Sequence, residues 1–409
     1  MMKYILLIFY RPLYAVLKWV LVGIQSKLNR KLKLWIDLRQ QPTQFPLLKD
    51  RVIWLHASSG EIEYLKSFIR EHKKLKPHVS VVVSYSSPSA PKLFDNIKSA
   101  VDCFFPLPWD QPTQLGLVFD QLKPEAFFFG RTDLWPELIY QLANRRIKTY
   151  VIAYNPNLSF LNRLWSKIFL QSFSGVFCTH ASQEAVLKTL VTKSTGVVTT
   201  GDTRFDQVFW RLQQPSKVPF QIASPYIVLG STWNEDEAVI IPVLKQIKQL
   251  GFQLVWSPHE VELDNIQRIE KILLQQNLTF EKLSDINSTH ADVILIDKIG
   301  YLADFYRLAD AAFIGGSFKS KVHSVMEPLC CAIPVITGPH ISNSPEALQY
   351  NNVVMNEIRV VQVVQSSEEF LDAVKKIKVM QKSDFKKLLI GHLEKNRYAT
   401  RKIMDLLPD

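Results

Sequence analysis

At 409 residues the chain is too long for one ordinary core, and its 47% apolar, 21% charged composition excludes a disordered or fibrous protein, so two folded domains are expected. Cys103, Cys178, Cys330 and Cys331 lack metal-ligand spacing and suit a reduced compartment better than a disulfide framework. The net charge of +11 is concentrated at one end: Lys3, Arg11, Lys18, Lys27, Arg30, Lys31, Lys33 and Arg39 stand against Asp37 alone in residues 1–40. A basic segment of that kind does not describe a nucleic-acid-binding body, and no nucleic-acid partner is expected.

Residues 4–24 mix aliphatic, Tyr and Trp side chains with Arg11, Pro12 and Lys18. The stretch is long enough to span a bilayer, but its charges would be costly at the centre. No small-residue cleavage site follows it. The composition predicts a helix lying at a lipid interface with its cations on anionic headgroups, with a true span or an ordinary core helix as alternatives.

Beyond residue 40, strand-like runs at 52–56, 79–84, 126–129, 149–153, 175–179 and 196–199 alternate with helical patterns such as 61–74. Such alternation predicts parallel βαβ units. A Pro- and Gln-containing stretch, 213–225, reads as a linker. A second series follows at 226–229, 253–256, 293–296, 311–314 and 334–336, with helices at 235–250, 262–276 and 302–309 and a basic helical tail over 366–407. The expected architecture is α/β: two doubly wound Rossmann-like domains facing a cleft, preceded by a membrane-associated helix. Its parts are 1–40, 41–212, 213–225, 226–385 and a tail at 386–409.

Two segments carry chemistry. In the second series, Gly315-Gly316-Ser317 ends a buried run and precedes His323, Ser324 and Glu327. The glycines would let backbone N–H groups approach a phosphate, a helix start would add its dipole, and Glu327 would hold ribose hydroxyls. In the first series, Ser58-Ser59-Gly60-Glu61 follows a strand and opens a helix. Glu61 is placed to take a proton from a hydroxyl, although both Ser58/Glu61 and Ser324/Glu327 also read as capping boxes.

Taken in order, Trp54-Leu55-His56-Ala57 with Ser59-Gly60-Glu61, Arg131-Thr132-Asp133-Leu134-Trp135-Pro136, Gly201-Asp202-Thr203-Arg204-Phe205-Asp206, Gly230-Ser231-Thr232, Pro258-His259, Gly315-Gly316-Ser317, His323 with Glu327-Pro328, and Gly338-Pro339-His340 with Asn343 resemble the 3-deoxy-D-manno-octulosonic acid (Kdo) transferases. That resemblance covers most of the chain. It implies the GT-B fold and an inverting, metal-independent transfer of Kdo from CMP-Kdo to a lipid A precursor, without a cofactor. The setting implied is the cytoplasmic face of the inner membrane, in lipopolysaccharide biosynthesis, with residues 1–40 on the membrane surface.

By the same resemblance Glu61 is the general base in an acceptor-binding domain that also uses Ser59, Gly60, Arg131, Asp133 and Arg204. Ser231, Thr232, His259, Gly315, Gly316, Ser317, His323, Ser324 and Glu327 belong to the donor site. Arg131 and Asp133 also read as a structural ion pair, and Arg204 as a solvated turn charge. A helix start at Glu61 predicts a lowered carboxyl pKa. Asp133 replaces the family's usual Glu, Trp233 its usual His, and Ser324 its usual Asn, while Ser257 stands where an Arg is usual. These changes keep two alternatives open: another nucleotide sugar or acceptor, or a membrane-binding relative without catalysis.

Overall fold

The computed structural model describes the chain apart from residues 1, 42, 219, 221, 223, 224, 287, 288 and 409, and apart from the side chains of residues 2–6 and 395. It comprises two compact units, Met1–Gln207 with Asn396–Asp409, and Val208–Lys395. The division cuts the helix Thr203–Leu212 rather than the stretch 213–225, part of which lies outside the described residues. The expected tail is shared: from Asn396 onward the chain belongs to the first unit.

The first unit holds strands β1 (Arg51–Ala57), β2 (Val79–Tyr85), β3 (Cys103–Pro106), β4 (Ala126–Gly130), β5 (Lys148–Tyr154), β6 (Gly175–Cys178) and β7 (Gly196–Thr199). They form a parallel sheet in the order β3-β2-β1-β4-β5-β6-β7. Strands covered on both faces read as continuous apolar runs. In β1, Val52 and Trp54 enter one core layer, and Ile53, Leu55 and Ala57 the other. The helices are α1 (Met2–Gly23), α2 (Arg30–Gln40), α3 (Lys66–Leu75), α4 (Pro112–Leu122), α5 (Pro136–Asn144), α6 (Phe160–Phe169), α7 (Ala181–Lys188) and α8 (Thr203–Leu212). The C-terminal helix Ala399–Leu406 packs on α3, where Thr400 Oγ1 donates to Ser67 Oγ at 2.8 Å and Ile403 joins the core.

Helix α1 is amphipathic in an unexpected sense, because its described Tyr10, Arg11 and Lys18 all bond to the protein. Tyr10 donates to Asp110 at 2.8 Å, Arg11 bonds both oxygens of the buried Glu137 at 2.8 and 3.1 Å, and Lys18 donates to Gln111 at 2.8 Å. Asp110 also accepts the amides of Glu137 and Leu138 at the start of α5, which ties α1 to a helix N-terminus. The expectation that Arg11 and Lys18 meet headgroups is corrected: the buried Glu137 holds Arg11 and the half-buried Gln111 holds Lys18. Ile8, Phe9, Leu13, Val16, Leu17 and Trp19 are left exposed on the other side. Among the described residues, no helix is long and apolar enough to cross a membrane.

In the second unit the strands are β8 (Tyr226–Thr232), β9 (Gln253–Pro258), β10 (Phe280–Lys282), β11 (Val293–Leu295), β12 (Ala311–Ile314), β13 (Val335–Thr337), a hairpin of β14 (Val354–Met355) and β15 (Ile358–Arg359), and β16 (Val361–Val363). The sheet runs β10-β11-β9-β8-β12-β13-β16. The expected helix 235–250 is interrupted by a 3-10 turn at Ile241–Val243, where Pro242 brings no N–H to continue the ladder.

Both sheets reverse strand order beside their first strand, between β1 and β4 and between β8 and β12. Loops leaving two such strands diverge to opposite faces, which opens a crevice at their C-terminal ends. Glu61 and Asp133 follow β1 and β4; Trp233 and the Gly315–His323 loop follow β8 and β12.

Candidate active site

In the first unit, Glu61 lies in a 3-10 segment, Ser59–Tyr64, and is half-buried. Its Oε1 accepts from Thr132 Oγ1 at 3.1 Å and its Oε2 from Ser58 Oγ at 3.2 Å. The capping-box alternative fails on geometry, since Ser58 makes no side-chain cap bond and instead donates to the carboxylate. Burial raises the Glu61 carboxyl above its ordinary value and nearby Asp133 raises it further, against smaller opposing contributions from Thr132, Arg131 and Ser58. The lowering expected from a helix start is thereby corrected: the segment is a short 3-10 turn, and desolvation outweighs its dipole.

Asp133 is pinned from below. Trp54 Nε1 donates to Ser84 Oγ at 2.8 Å, Ser84 Oγ lies 2.8 Å from His56 Nδ1, and His56 Nε2 lies 2.9 Å from Asp133 Oδ2. Because indole only donates, one consistent proton order runs from Trp54 to Ser84, to His56 Nδ1, and from His56 Nε2–H to Asp133. Ser86 Oγ donates to the same carboxylate oxygen at 2.9 Å. Burial pushes the Asp133 carboxyl up, but the His56 and Ser86 bonds outweigh it and hold the group below its usual range. Sequence reasoning named Asp133 and missed His56, Ser84, Ser86 and Thr132. The available signal was the shared face of Trp54 and His56, two residues apart on one strand.

Arg131 adopts φ +57° and lays its guanidinium over Tyr64, 5.2 Å from the ring centroid. Arg204 lies over Tyr64 at 4.4 Å and bonds Asp202 at 2.8 Å, so its charge is engaged within the turn rather than offered to a ligand. The Ser59 and Ser89 hydroxyls are 2.9 Å apart, and a Cβ at Gly60 would meet nothing within 4 Å. Two pockets flank this group. One, of about 520 Å³, is lined by Lys31 and Trp35 of α2 with Ser58, Ser59, Ser86 and Asp133. The other, of about 410 Å³, runs from Arg131 and Thr132 to Asn155, Leu161 and Trp165, the last two on α6.

In the second unit, the glycine turn is built otherwise than the sequence suggested. The Gly316 amide donates to Asp236 Oδ2 at 2.7 Å and the Phe318 amide to Asp236 Oδ1 at 3.2 Å, while Gly315 donates to the Gly230 carbonyl at 2.9 Å. The expected phosphate cradle on the glycine amides is corrected, because Asp236 takes the Gly316 amide and the Gly230 carbonyl takes that of Gly315. The glycines are required for packing. A Cβ on Gly315 would lie 2.3 Å from the Ser231 carbonyl oxygen, and one on Gly316, at φ +91°, would lie 2.5 Å from the Lys321 carbonyl oxygen. Ser317 is fully buried and its Oγ has no partner among the described residues.

Thr232 is also committed internally: it accepts from Trp256 Nε1 at 2.9 Å and donates to Glu237 at 3.2 Å. Ser231 adopts φ +56° at the kinked end of β8. Ser324 Oγ donates to Glu327 at 2.5 Å, and Arg211 stands 3.8 Å from the other oxygen of that carboxylate. The helix that contains Glu327, Met326–Cys330, has only five residues and no side-chain cap, so the expected capping box is absent and its dipole is small.

His259 and His323 do come together. Trp233 and His259 stack with centroids 4.3 Å apart, His259 and His323 at 4.5 Å, and Lys319 Nζ lies 3.4 Å from the Trp233 ring centroid. Burial lowers the His259 pKa, and burial followed by the nearby His259 and Lys321 pushes His323 down to about 4. Among the described residues no three His, Cys, Asp or Glu side chains gather as a metal site.

A family model described as 3-deoxy-D-manno-octulosonic-acid transferase matches residues 27–207. The 3-deoxy-D-manno-octulosonic acid transferase of Aquifex aeolicus is 28% identical over 81% of this chain and 89% of that protein. Its counterpart in Haemophilus influenzae is 25% identical over 87% and 86%, and that of Chlamydophila psittaci 24% over 72% and 71%. Among solved structures, a glycosyltransferase from Rickettsia africae superposes with a TM-score of 0.54 at 10% identity, covering 87% of this chain and 97% of that one. The UDP-GlcNAc 2-epimerase of Neisseria meningitidis gives 0.55 at 15% identity, over 85% and 100%. These two likenesses establish the α/β GT-B fold alone. The family match over residues 27–207 and the relatives spanning most of the chain support a divergent Kdo transferase, a glycosyltransferase.

Proposed function

We propose that the chain transfers Kdo from CMP-Kdo to a lipid A precursor, with Glu61 as the base and without a metal. The observation that carries this reading is the Glu61 carboxylate: oriented by Thr132 and Ser58, free of any capping duty, and beside a second carboxylate fixed by His56. In the reaction, Glu61 takes the proton of an acceptor hydroxyl as that oxygen bonds the anomeric carbon of Kdo. The bond from that carbon to the CMP phosphate breaks, and its electron pair leaves with CMP. Attack from the face opposite the leaving group inverts the centre.

The acceptor reading rests on the two pockets beside Glu61. Hydroxyls, Lys31 and Trp35 suit a phosphorylated sugar, and the pocket reaching Leu161 and Trp165 suits acyl chains. For the donor, His259 and His323 form an aromatic wall, with Ser231, Ser324 and Glu327 as polar contacts. Gly315, Gly316, Ser317 and Thr232 shape that wall from behind. Residues 1–40 dock on the cytoplasmic face of the inner membrane through the exposed side of α1. On α6, exposed Phe160, Leu161, Leu164 and Trp165 beside Arg163 and Lys167 extend the same chemistry. A donor other than CMP-Kdo is the second reading, favoured by Asp236 filling the glycine turn.

The pH dependence of transfer tests the base. A protonated Glu61 cannot accept a proton, so the rate rises with pH as the group ionises. Its raised pKa places this acid limb above the ordinary glutamate value of about 4.3. Asp133→Asn removes one source of the shift and moves the limb down. A limb at or below the ordinary value in the wild type contradicts the assignment.

A further inference from the structure

Three strand ends deliver three rings to one place: Trp233 after β8, His259 after β9, and His323 in the loop after β12. Trp233 Nε1 lies 3.0 Å from His323 Nε2. An indole N–H donates and never accepts, so Nε2 must offer a lone pair and the proton of the neutral imidazole must sit on Nδ1. The ring has little freedom to turn away from this bond. His259 stacks on one of its faces, and a Cβ at Gly316 would lie 2.9 Å from His323 Cδ2. The indole is fixed in turn: Lys319 lies over its ring, and the Trp233 amide donates to Asp236 Oδ2 at 2.9 Å.

We propose that Trp233 is a positioning residue that locks His323 in the Nδ1–H tautomer, so that His323 presents a neutral hydrogen-bond donor to an acceptor oxygen of the bound nucleotide sugar. The inference rests on the nucleotide-sugar reading of the second unit. The charged and titratable groups around the ring act together. Lys321 and His259 oppose a second proton on His323, and Lys319 across Trp233 adds the same sign. Asp236 is occupied by the Trp233, Gly316 and Phe318 amides, while Glu260 and Glu262 act on the neighbouring His259. A donor that carries no charge keeps the same strength across the physiological range, whereas a free histidine would change state there.

Trp233→Phe keeps an aromatic ring for the stack and removes the N–H. Nitrogen–proton correlation spectra of histidine-labelled, full-length protein, recorded without ligand, read the tautomer directly. The wild type is expected to show Nδ1 protonated and Nε2 bare, with protonation only near pH 4. In Trp233→Phe both tautomers should appear, and the titration should move up toward the ordinary histidine value. Binding of CMP across mildly acidic to neutral pH should be flat for the wild type. It should weaken roughly three- to tenfold and become pH-dependent in Trp233→Phe, the size expected for one lost hydrogen bond. His323→Asn, whose amide places an N–H near the position of Nδ1, should restore pH-independent binding in the Trp233→Phe background.

An Nε2-protonated or mixed wild-type ring, or spectra unchanged by Trp233→Phe, overturns the lock. A locked ring in a protein that binds UDP but not CMP leaves the lock standing and overturns the CMP-Kdo reading. A locked ring with nucleotide binding indifferent to both substitutions overturns the donor role of His323.

Discussion

Glu61→Gln is expected to lower the turnover number by about two to four powers of ten, the contribution of a positioned general base. The substitution preserves shape and leaves an oxygen to accept from Thr132, so the fold and donor affinity should hardly change. Removing a half-buried carboxylate whose pKa is raised should, if anything, ease folding at neutral pH. Steady-state assays should show the loss in kcat with the KM for the donor nearly unchanged, and thermal unfolding should be unaltered. A structural Glu61 would give the reverse pattern: near-normal kcat and a lower melting temperature.

Replacing Phe9, Leu13 and Trp19 by Ser should release the protein from anionic vesicles. These side chains are 70%, 70% and 78% exposed, so the folded protein loses almost no packing with them. In the membrane, partial burial of the three rings and branches is worth roughly 4–6 kcal/mol, or about three to four powers of ten in partitioning. Flotation with liposomes should therefore lose the protein while its urea midpoint stays in place. Arg11→Ala should act differently. It strips the partner from buried Glu137 and loosens α1 from the body, so stability should fall as well. Equal liposome binding by the triple variant and the wild type contradicts the outward-facing role of α1.

Much of this architecture was legible because buried parallel strands are read as unbroken apolar runs. The runs at 52–56 and 311–314 found β1 and β12, the strands that bear the Glu61 and glycine loops. Besides the short β14–β15 hairpin, the missed strands are β3, β10 and β16 of the two large sheets, each of four residues or fewer. Length is not the reason, since β12 is as short; all three lie at sheet edges and hold half-exposed residues, so their apolar runs are broken. Glu61 was legible from its place after a strand. The sign of its pKa shift was not, because burial and the approach of Asp133 are tertiary facts.

Asp236 shows the deeper limit. An acid in the first turn of a helix looks the same in sequence whether it faces water or plugs another loop. Its bonds to Gly316 and Phe318 join residues some eighty positions apart, and nothing local announces them. The same holds for α1. Its mixture of cations and aliphatics was visible, but which face each occupied depended on Asp110 and Glu137, far along the chain. Pairings of that kind decide what a motif does, and they reversed the expected roles of Arg11, Lys18 and the glycine amides.

The most direct test of the account is a transfer assay with the purified full chain, labelled CMP-Kdo and a lipid A precursor in anionic vesicles. The account predicts that label moves to the lipid with CMP released in equal amount, and that Glu61→Gln slows both by about two to four powers of ten. CMP-Kdo left intact while another nucleotide sugar is consumed would contradict it.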